Sequence, residues 1–308
     1  MNTTTSKLDN NFSIKLINGL LNIKPLMEFA KTRARSMIIK RANLIGVGWE
    51  NNVKNLQNHD WQTEIQVVEN PDITYPSYYL TSFHAYDHGN LSWEAAWELE
   101  SASYSVHSTV YSKTPQADGD RNLRESYNQV LKSEIISNPE NILDFGCGVG
   151  LSTFALQENY PQSNISGLDL SPYFLSVANY QSKIKNKSIN WIHSAAELTN
   201  LPVKSFDLIS AFLMFHELPQ SAAENIILSA NKLLKKGGYF GIMDMNPQSE
   251  NYQKMPRYVL TLLKSTEPYL DEYFTLDIAS VFEKCGFSTP KIIPISPRHR
   301  AIIAQKVN

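Results

Sequence analysis

The sequence predicts an α/β chain: a doubly wound, mostly parallel seven-stranded sheet preceded by a mainly helical region. Three observations carry this. From residue 139 onward, short β-rich runs alternate with helical patterns, the rhythm of βαβ units. The first such run, Ile142-Leu143-Asp144-Phe145, leads into Gly146-Cys147-Gly148-Val149-Gly150, the kind of glycine turn that joins strand to helix in open parallel sheets. The last two runs, residues 291–295 and 301–306, are separated by only residues 296–300, too few for a crossover helix, so they pair antiparallel.

Along the chain, residues 1–45 hold eight Lys/Arg against Asp9 and Glu28, a local charge of +6 that leaves −8 elsewhere. Phe12, Leu16, Leu20, Ile23 and Met27 recur there at helical spacing. This basic amphipathic segment suits an anionic membrane surface, an organellar presequence, or a helix packed on its own domain with a solvated basic face. Residues 46–135 lack the βαβ rhythm and are rich in aromatics. Pro71, Pro76 and Pro115 punctuate them, and residues 92–107 and 121–135 have helical patterns, so the region reads as a cap or substrate domain. The remainder, residues 136–308, is the cofactor domain.

Within that domain, residues 141–145 read as a strand, 151–158 as a helix and 165–169 as the next strand. Ser171-Pro172 starts a helix, the serine oxygen capping a free N–H and the proline suiting the first turn. Strands follow at 190–193 and 206–215. Ser221 with Glu224 forms a capping box for a helix whose apolar face is Ala223, Ile226, Ile227, Ala230, Leu233 and Leu234. Gly237-Gly238 ends it before a strand at 239–243. An inserted helical stretch carrying Tyr252, Tyr258, Tyr269 and Tyr273 then precedes a helix at 276–285 and the closing hairpin.

Composition excludes whole classes. At 308 residues the chain exceeds one typical domain of ~150. Hydrophobic residues at 42% and charged residues at 19% exclude a disordered or low-complexity chain. Cys147 and Cys285 are too few for a disulfide framework or a cysteine-rich zinc site, so a reducing, cytoplasmic setting is expected. The longest uncharged apolar run, residues 208–215, falls far short of the ~20 needed to span a bilayer, which predicts a soluble or peripheral protein. Because the catalytic half is acidic, nucleic acid is not an expected partner.

The glycine turn selects the cofactor. Ligands of open parallel sheets bind beyond the carboxyl ends of the strands. Asp169 closes the second strand 19 residues past Gly150, where a carboxylate can accept both hydroxyls of a ribose. A dinucleotide enzyme prefers G-x-G-x-x-G, but the third glycine position here is Leu151 and Gly150 comes one residue early. That spacing argues against NAD and for S-adenosylmethionine, which has a ribose and an amino-acid tail but no phosphate.

Residues 139–306 resemble a class I S-adenosylmethionine-dependent methyltransferase with a Rossmann-like sheet, of the ubiquinone/menaquinone-biosynthesis type. The resemblance rests on residues 142–150, Gly167-Leu168-Asp169-Leu170-Ser171, Ala196-Glu197 with Leu201-Pro202 and Ser205-Phe206-Asp207, Phe215-His216-Glu217-Leu218-Pro219, and residues 233–238. It implies that Asp144 and the backbone of Gly146, Cys147 and Gly148 hold the methionine moiety, Asp169 the ribose and Leu170 the adenine. Ala195, Ala196 and Phe212 complete the expected cofactor contacts. Where the family commonly has Asp-Ala-Glu, this chain has Ala195-Ala196-Glu197, so the adenine amino group needs Ser194, Glu197 or water as its acceptor.

Methyl transfer from a sulfonium needs alignment, exclusion of water and, for some acceptors, removal of a proton. His216, after the fourth strand, is the expected base, with loop anchoring as its other reading. Glu217 and Asp244, the latter just beyond the fifth strand, are further candidates for base or acceptor contact, with capping of the following segments as their other reading. Tyr79, His84, Tyr86 and Trp93 are the expected acceptor walls, suiting a small aromatic or lipophilic molecule. His84 and His88 match one-face metal spacing, but Gly89 and Asn90 favour a loop and no further ligands are evident, so no metal is expected. Cys147 fits as a small space-filler. Two other classes remain open: a noncatalytic S-adenosylmethionine sensor or assembly protein, and an NAD(P)-dependent oxidoreductase.

Overall fold

The computed structural model of the chain describes residues 24–81, 84 and 86–307. Helices α1 (Lys24–Leu44), α2 (Trp49–Gln57), α3 (Trp61–Val68), α4 (Trp93–His107) and α5 (Gly119–Glu134) precede the first strand. Phe12, Leu16, Leu20 and Ile23 of the expected amphipathic segment, and the side chain of Met27, lie outside the described residues. Farther along the same segment, Arg35 of α1 is ion-paired with Glu98 of α4, and Ser105 Oγ donates to the carbonyl of Ile38 at 2.7 Å. This part of the basic stretch is therefore docked on its own chain. No helix among the described residues is long and apolar enough to cross a membrane.

The cofactor half runs β1 (Asn141–Phe145), α6 (Leu151–Asn159), β2 (Asn164–Asp169), α7 (Pro172–Ile184), β3 (Asn190–His193), β4 (Phe206–Phe212), α8 (Gln220–Leu233) and β5 (Leu234–Met245). After it come α9 (Glu250–Gln253), α10 (Arg257–Thr266), α11 (Leu270–Thr275), α12 (Ile278–Lys284), β6 (Lys291–Pro294) and β7 (His299–Gln305). The sheet order is β3-β2-β1-β4-β5-β7-β6, with β7 antiparallel to both its neighbours and the other pairs parallel. A doubly wound seven-stranded sheet closed by an antiparallel hairpin is what the sequence predicts.

Local differences have local causes. β4 stops at Phe212 because Leu213 turns the chain at φ +55°, and Phe215–Glu217 then forms a 3₁₀ turn. The Ser221–Glu224 box does not cap α8. Pro219 precedes the helix, which starts at Gln220, whose N–H donates to Glu272 Oε2 at 2.8 Å, so an acid from α11 supplies the missing acceptor. β5 begins at Leu234 and runs through Gly237-Gly238, its register against β4 shifting between Phe206 and Leu208. Ser171 caps α7 as expected, accepting from Phe174 N at 3.2 Å.

Alternation along the strands builds two cores. Leu143, Phe145, Ile209, Phe240, Ile242 and Ile302 face α8 and α12, whereas Ile142, Leu208, Met243 and Ile303 face Leu123, Tyr127 and Leu131 of α5. Helix α5, assigned to the front region by its sequence, is thus a layer of the sheet. Phe240 is fully buried, its ring 5.6 Å from that of Phe282 and within 6.2 Å of those of Phe145, Phe215 and Phe287. Phe240→Ala should lower the unfolding free energy by about 3–5 kcal/mol through lost burial and a residual cavity. Urea denaturation checks this, and a loss below about 1 kcal/mol would contradict the assigned packing.

Candidate active site

β1 lies between β2 and β4, the point where successive connections leave in opposite directions, so a crevice opens beyond its carboxyl end. The glycine turn forms the floor. Gly146, Gly148 and Gly150 take φ of +62°, +54° and +90°, the left-handed region where a Cβ is strained. At Gly150 a Cβ would also lie 2.8 Å from the Trp191 ring, so glycine lets the start of α6 pack against β3. Beneath the turn, Asp144 is fully buried and its Oδ2 accepts from Ser152 Oγ and Thr153 Oγ1, both at 2.7 Å, while Oδ1 has no partner. Burial pushes its carboxyl up to about 6.

Asp169 closes β2 at the cavity wall. Its Oδ2 accepts from Gly148 N and its Oδ1 from Ser171 N, each at 2.8 Å. Burial raises its carboxyl to about 6 even though these two N–H donors favour the charge. A tyrosine strap crosses this end. Tyr79 O–H points at Asp169 Oδ1 from 3.5 Å and its ring stacks on that of Tyr75, while Tyr78 O–H donates to Glu197 Oε1 at 2.6 Å. His193 anchors the strap: Nδ1 accepts from Asn70 N at 2.9 Å and Nε2 donates to the Leu170 carbonyl at 2.9 Å. Burial lowers the His193 pKa, consistent with this neutral tautomer.

The opposite end of the cavity is lined by Ser103 and His107 of α4, Arg124 of α5 and Ser152 of α6. Asp120 holds both side chains there, accepting from His107 Nδ1 at 2.6 Å and Arg124 Nε at 2.8 Å, and the Arg124 guanidinium lies 4.4 Å above the Phe212 ring. Between the two ends stand Phe212, Leu213, Met214 and Leu218. A nucleoside with a charged amino-acid tail fits this division. Carboxylates and small residues line one end, charged and hydroxyl groups the other, and the buried, unpartnered Oε2 of Glu197 can take the amino group that Ala195 cannot.

The third wall centres on Glu217. Its Oε1 accepts from His84 Nε2 at 2.8 Å and its Oε2 from Asn90 Nδ2 at 3.2 Å, and His84 Nδ1 donates to Glu267 Oε1 at 2.9 Å. Burial opposes charge on His84, but Glu267 and Glu217 together hold its pKa well above the ordinary histidine range. His216 lies outside the cavity lining, buried, with Nδ1 on Asp244 Oδ1 at 2.8 Å. Burial works against its proton too, yet Asp244 prevails and raises the imidazole to about 9. A protonated His216 offers no lone pair at neutral pH.

The structure therefore brings together Gly146, Cys147, Gly148, Asp169, Leu170, Ala196, Phe212, Tyr79 and His84 in one cavity. Asp144, Ala195, His216 and Asp244 sit behind its walls. Tyr86 and Trp93, expected at an acceptor pocket, pack instead among the front helices. Tyr86 O–H donates to Glu98 Oε2 at 2.7 Å, and Trp93 stacks on Trp97 one helical turn away and meets Tyr173 edge-on. Phe83 and Ala85 lie outside the described residues. Burial pushes the Cys147 thiol well up, as suits a space-filler. The sequence reading missed Glu267, Met214, Arg124 and His107 as neighbours of the cavity, since nothing local links them to the glycine turn.

The family described as a methyltransferase domain matches residues 142–238. The chain is 27% identical over 165 residues to an uncharacterized methyltransferase of Synechocystis sp., covering 53% of this chain and 74% of the relative. It is 25% identical over 158 residues to the ubiquinone biosynthesis O-methyltransferase of Thiobacillus denitrificans, covering 50% of this chain and only 66% of that protein. Against the protein of that name from Coxiella burnetii the identity is 26%, covering 45% of this chain and 59% of the relative. In fold it is similar to a Nostoc punctiforme protein assigned as an O-methyltransferase, at a TM-score of 0.54 and 17% identity, over 82% of this chain and 69% of that one.

The Asp169 carboxyl at about 6 fixes a pH dependence. Holding a ribose requires the carboxylate, so the bound state has the lower pKa, and donor affinity is lost as pH falls through about 6. Calorimetric titration with S-adenosylhomocysteine should show binding weakening by about fivefold or more between pH 7.5 and pH 5. Asp169→Asn should bind about tenfold more weakly at pH 7.5 and with a flatter profile. An unchanged affinity in that variant would contradict the assignment.

Proposed function

We propose that this class I S-adenosylmethionine-dependent methyltransferase transfers the donor's methyl group to a small aromatic or lipophilic organic acceptor. One observation carries the reading: a single cavity at the β1/β4 switch point joins Asp169, the Gly146–Gly148 backbone and an apolar wall that ends at Glu217. When bound, S-adenosylmethionine supplies a methyl group activated by a sulfonium leaving group.

Asp169 would hold the ribose hydroxyls through the acceptor capacity left over by its bonds to Gly148 N and Ser171 N, displacing the long Tyr79 contact. Leu170 and Ala196 would flank the adenine, and Glu197 Oε2 would accept from its amino group. The methionine end would lie over Gly146 toward Ser152 and Arg124, with Asp144 supporting the turn from below through Ser152 and Thr153. Met214, Leu213 and Phe212 would exclude water and offer the acceptor an apolar surface.

Glu217 is the carboxylate best placed to meet the acceptor, because it lines the cavity and is oriented by His84 and Asn90. His216 acts one step back. Its charged pair with Asp244, reinforced by its own N–H to Asp244 Oδ2 at 3.2 Å, fixes the 3₁₀ turn that presents Glu217. We therefore assign His216 as a positioning residue and Glu217 as the group that accepts a proton or hydrogen bond from the acceptor.

Purified protein incubated with a metabolite extract and deuteromethyl-labelled S-adenosylmethionine should yield a labelled small molecule detectable by mass spectrometry. Saturable S-adenosylhomocysteine binding with no labelled product would favour a noncatalytic sensor. Once a product is found, Glu217→Gln should reduce turnover by about tenfold or more while changing S-adenosylhomocysteine affinity less than about twofold. Equal loss in both would make Glu217 part of the donor site instead.

A further inference from the structure

Met214 occupies ground that the methyl donor needs. Its side chain lies directly on the glycine turn: a Cβ at Gly146 would stand 2.5 Å from Met214 Sδ and 2.8 Å from its Cγ, so only the bare Cα of glycine lets the thioether settle there. Both residues line the cavity. Leu99 leans over Gly148 in a similar way, 3.1 Å from where a Cβ would be. The cavity that remains has a volume of about 170 Å³, short of the ~300 Å³ at which pockets begin to bury a drug-sized ligand. A side chain must therefore withdraw before S-adenosylmethionine fits.

Met214 is the side chain best able to do so. Tyr78 and Tyr79 approach their carboxylates through their hydroxyl tips, and His84 is held between two acids. Met214, by contrast, is unbranched, half-buried and free of polar ties, so its rotamers exchange at little cost. Its backbone is fixed on both sides: Leu213 N donates to the Met243 carbonyl at 2.8 Å, and Glu217 N donates to the Met214 carbonyl at 3.1 Å. Leu213 itself is held at φ +55°, a left-handed conformation unusual for leucine, and this turn brings Met214 back over Gly146. With the backbone pinned, the side chain is the part that can move. Chemistry favours the same exchange, because the Met214 side chain is an aliphatic thioether like the one in the donor's amino-acid tail. A surface that seats one seats the other.

We propose that Met214 is a gate on the donor site: its thioether holds the place of the donor's methionine end over Gly146 and turns aside when the donor enters. Once displaced, it joins Phe212 and Leu213 in the apolar wall offered to the acceptor, so the acceptor surface is completed only by donor binding. The inference rests on the donor site described above and adds a moving part to it.

Calorimetric titration with S-adenosylhomocysteine compares wild type with Met214→Ala. Because the thioether competes with the donor for one place, its removal should tighten binding by about threefold or more and speed association in stopped-flow tryptophan fluorescence. Binding equal to or weaker than that of wild type would overturn the proposal, a weaker value making Met214 a contact of the bound donor instead. A second readout keeps the native side chain. In protein carrying isotope-labelled methionine methyl groups, with Met214→Leu to assign the resonance, the Met214 methyl should show a nuclear Overhauser contact with Gly146 that disappears on saturation with S-adenosylhomocysteine. A contact that persists at saturation would also overturn the gate. Absence of binding by both wild type and Met214→Ala would refute the donor site itself and the gate with it, whereas saturable wild-type binding that Met214→Ala does not improve refutes the gate alone.

Discussion

The arrangement of the cavity depends on one buried carboxylate holding two backbone N–H groups. Asp169 stands at the end of β2, yet its oxygens bind Gly148 in the turn after β1 and Ser171 at the head of α7. These two bonds lock the glycine turn, the second strand and the following helix in one geometry. The cost is visible in the carboxyl itself, which burial raises despite both donors. A group that is charged, buried and only partly satisfied is prepared to accept further donors, and a vicinal diol provides them.

Acidic groups dominate the rest of the lining. Asp169, Glu197 and Glu217 face the interior, while the cations nearby are engaged: Arg124 by Asp120, His84 by Glu217 and Glu267. A sulfonium donor enters such a field favourably and becomes uncharged at sulfur on giving up its methyl group, so the same carboxylates hold the product less tightly. Exclusion of water falls to the tyrosine strap and to His84, which is held between Glu217 and Glu267. His84 sits at φ +50°, a strained conformation that this double ion pair maintains.

Much of this was legible from local pattern. The alternation of strands with helices, the antiparallel hairpin and the pairing of Asp169 with the glycine turn all follow from spacing within a short stretch of chain. What escaped depends on distant partners. Ser221 and Glu224 form a good capping signature, but Glu272, brought in by α11, satisfies the helix one residue earlier. His216 has the sequence position of a base, whereas its protonation is decided by Asp244 and by burial, which periodicity does not report. Trp93 and Tyr86 are aromatic enough for a pocket, yet the front helices need them for their own packing. Helix α5 carries the pattern of any amphipathic helix, and only the fold shows that its apolar face covers the sheet.

The most direct measurement is a crystal structure of the protein with S-adenosylhomocysteine bound. The account predicts the ribose hydroxyls within hydrogen-bonding distance of Asp169, the adenine between Leu170 and Ala196 with its amino group toward Glu197, and the amino-acid tail over Gly146. A nucleoside bound elsewhere, or seated in the crevice with its sugar away from Asp169, would contradict it.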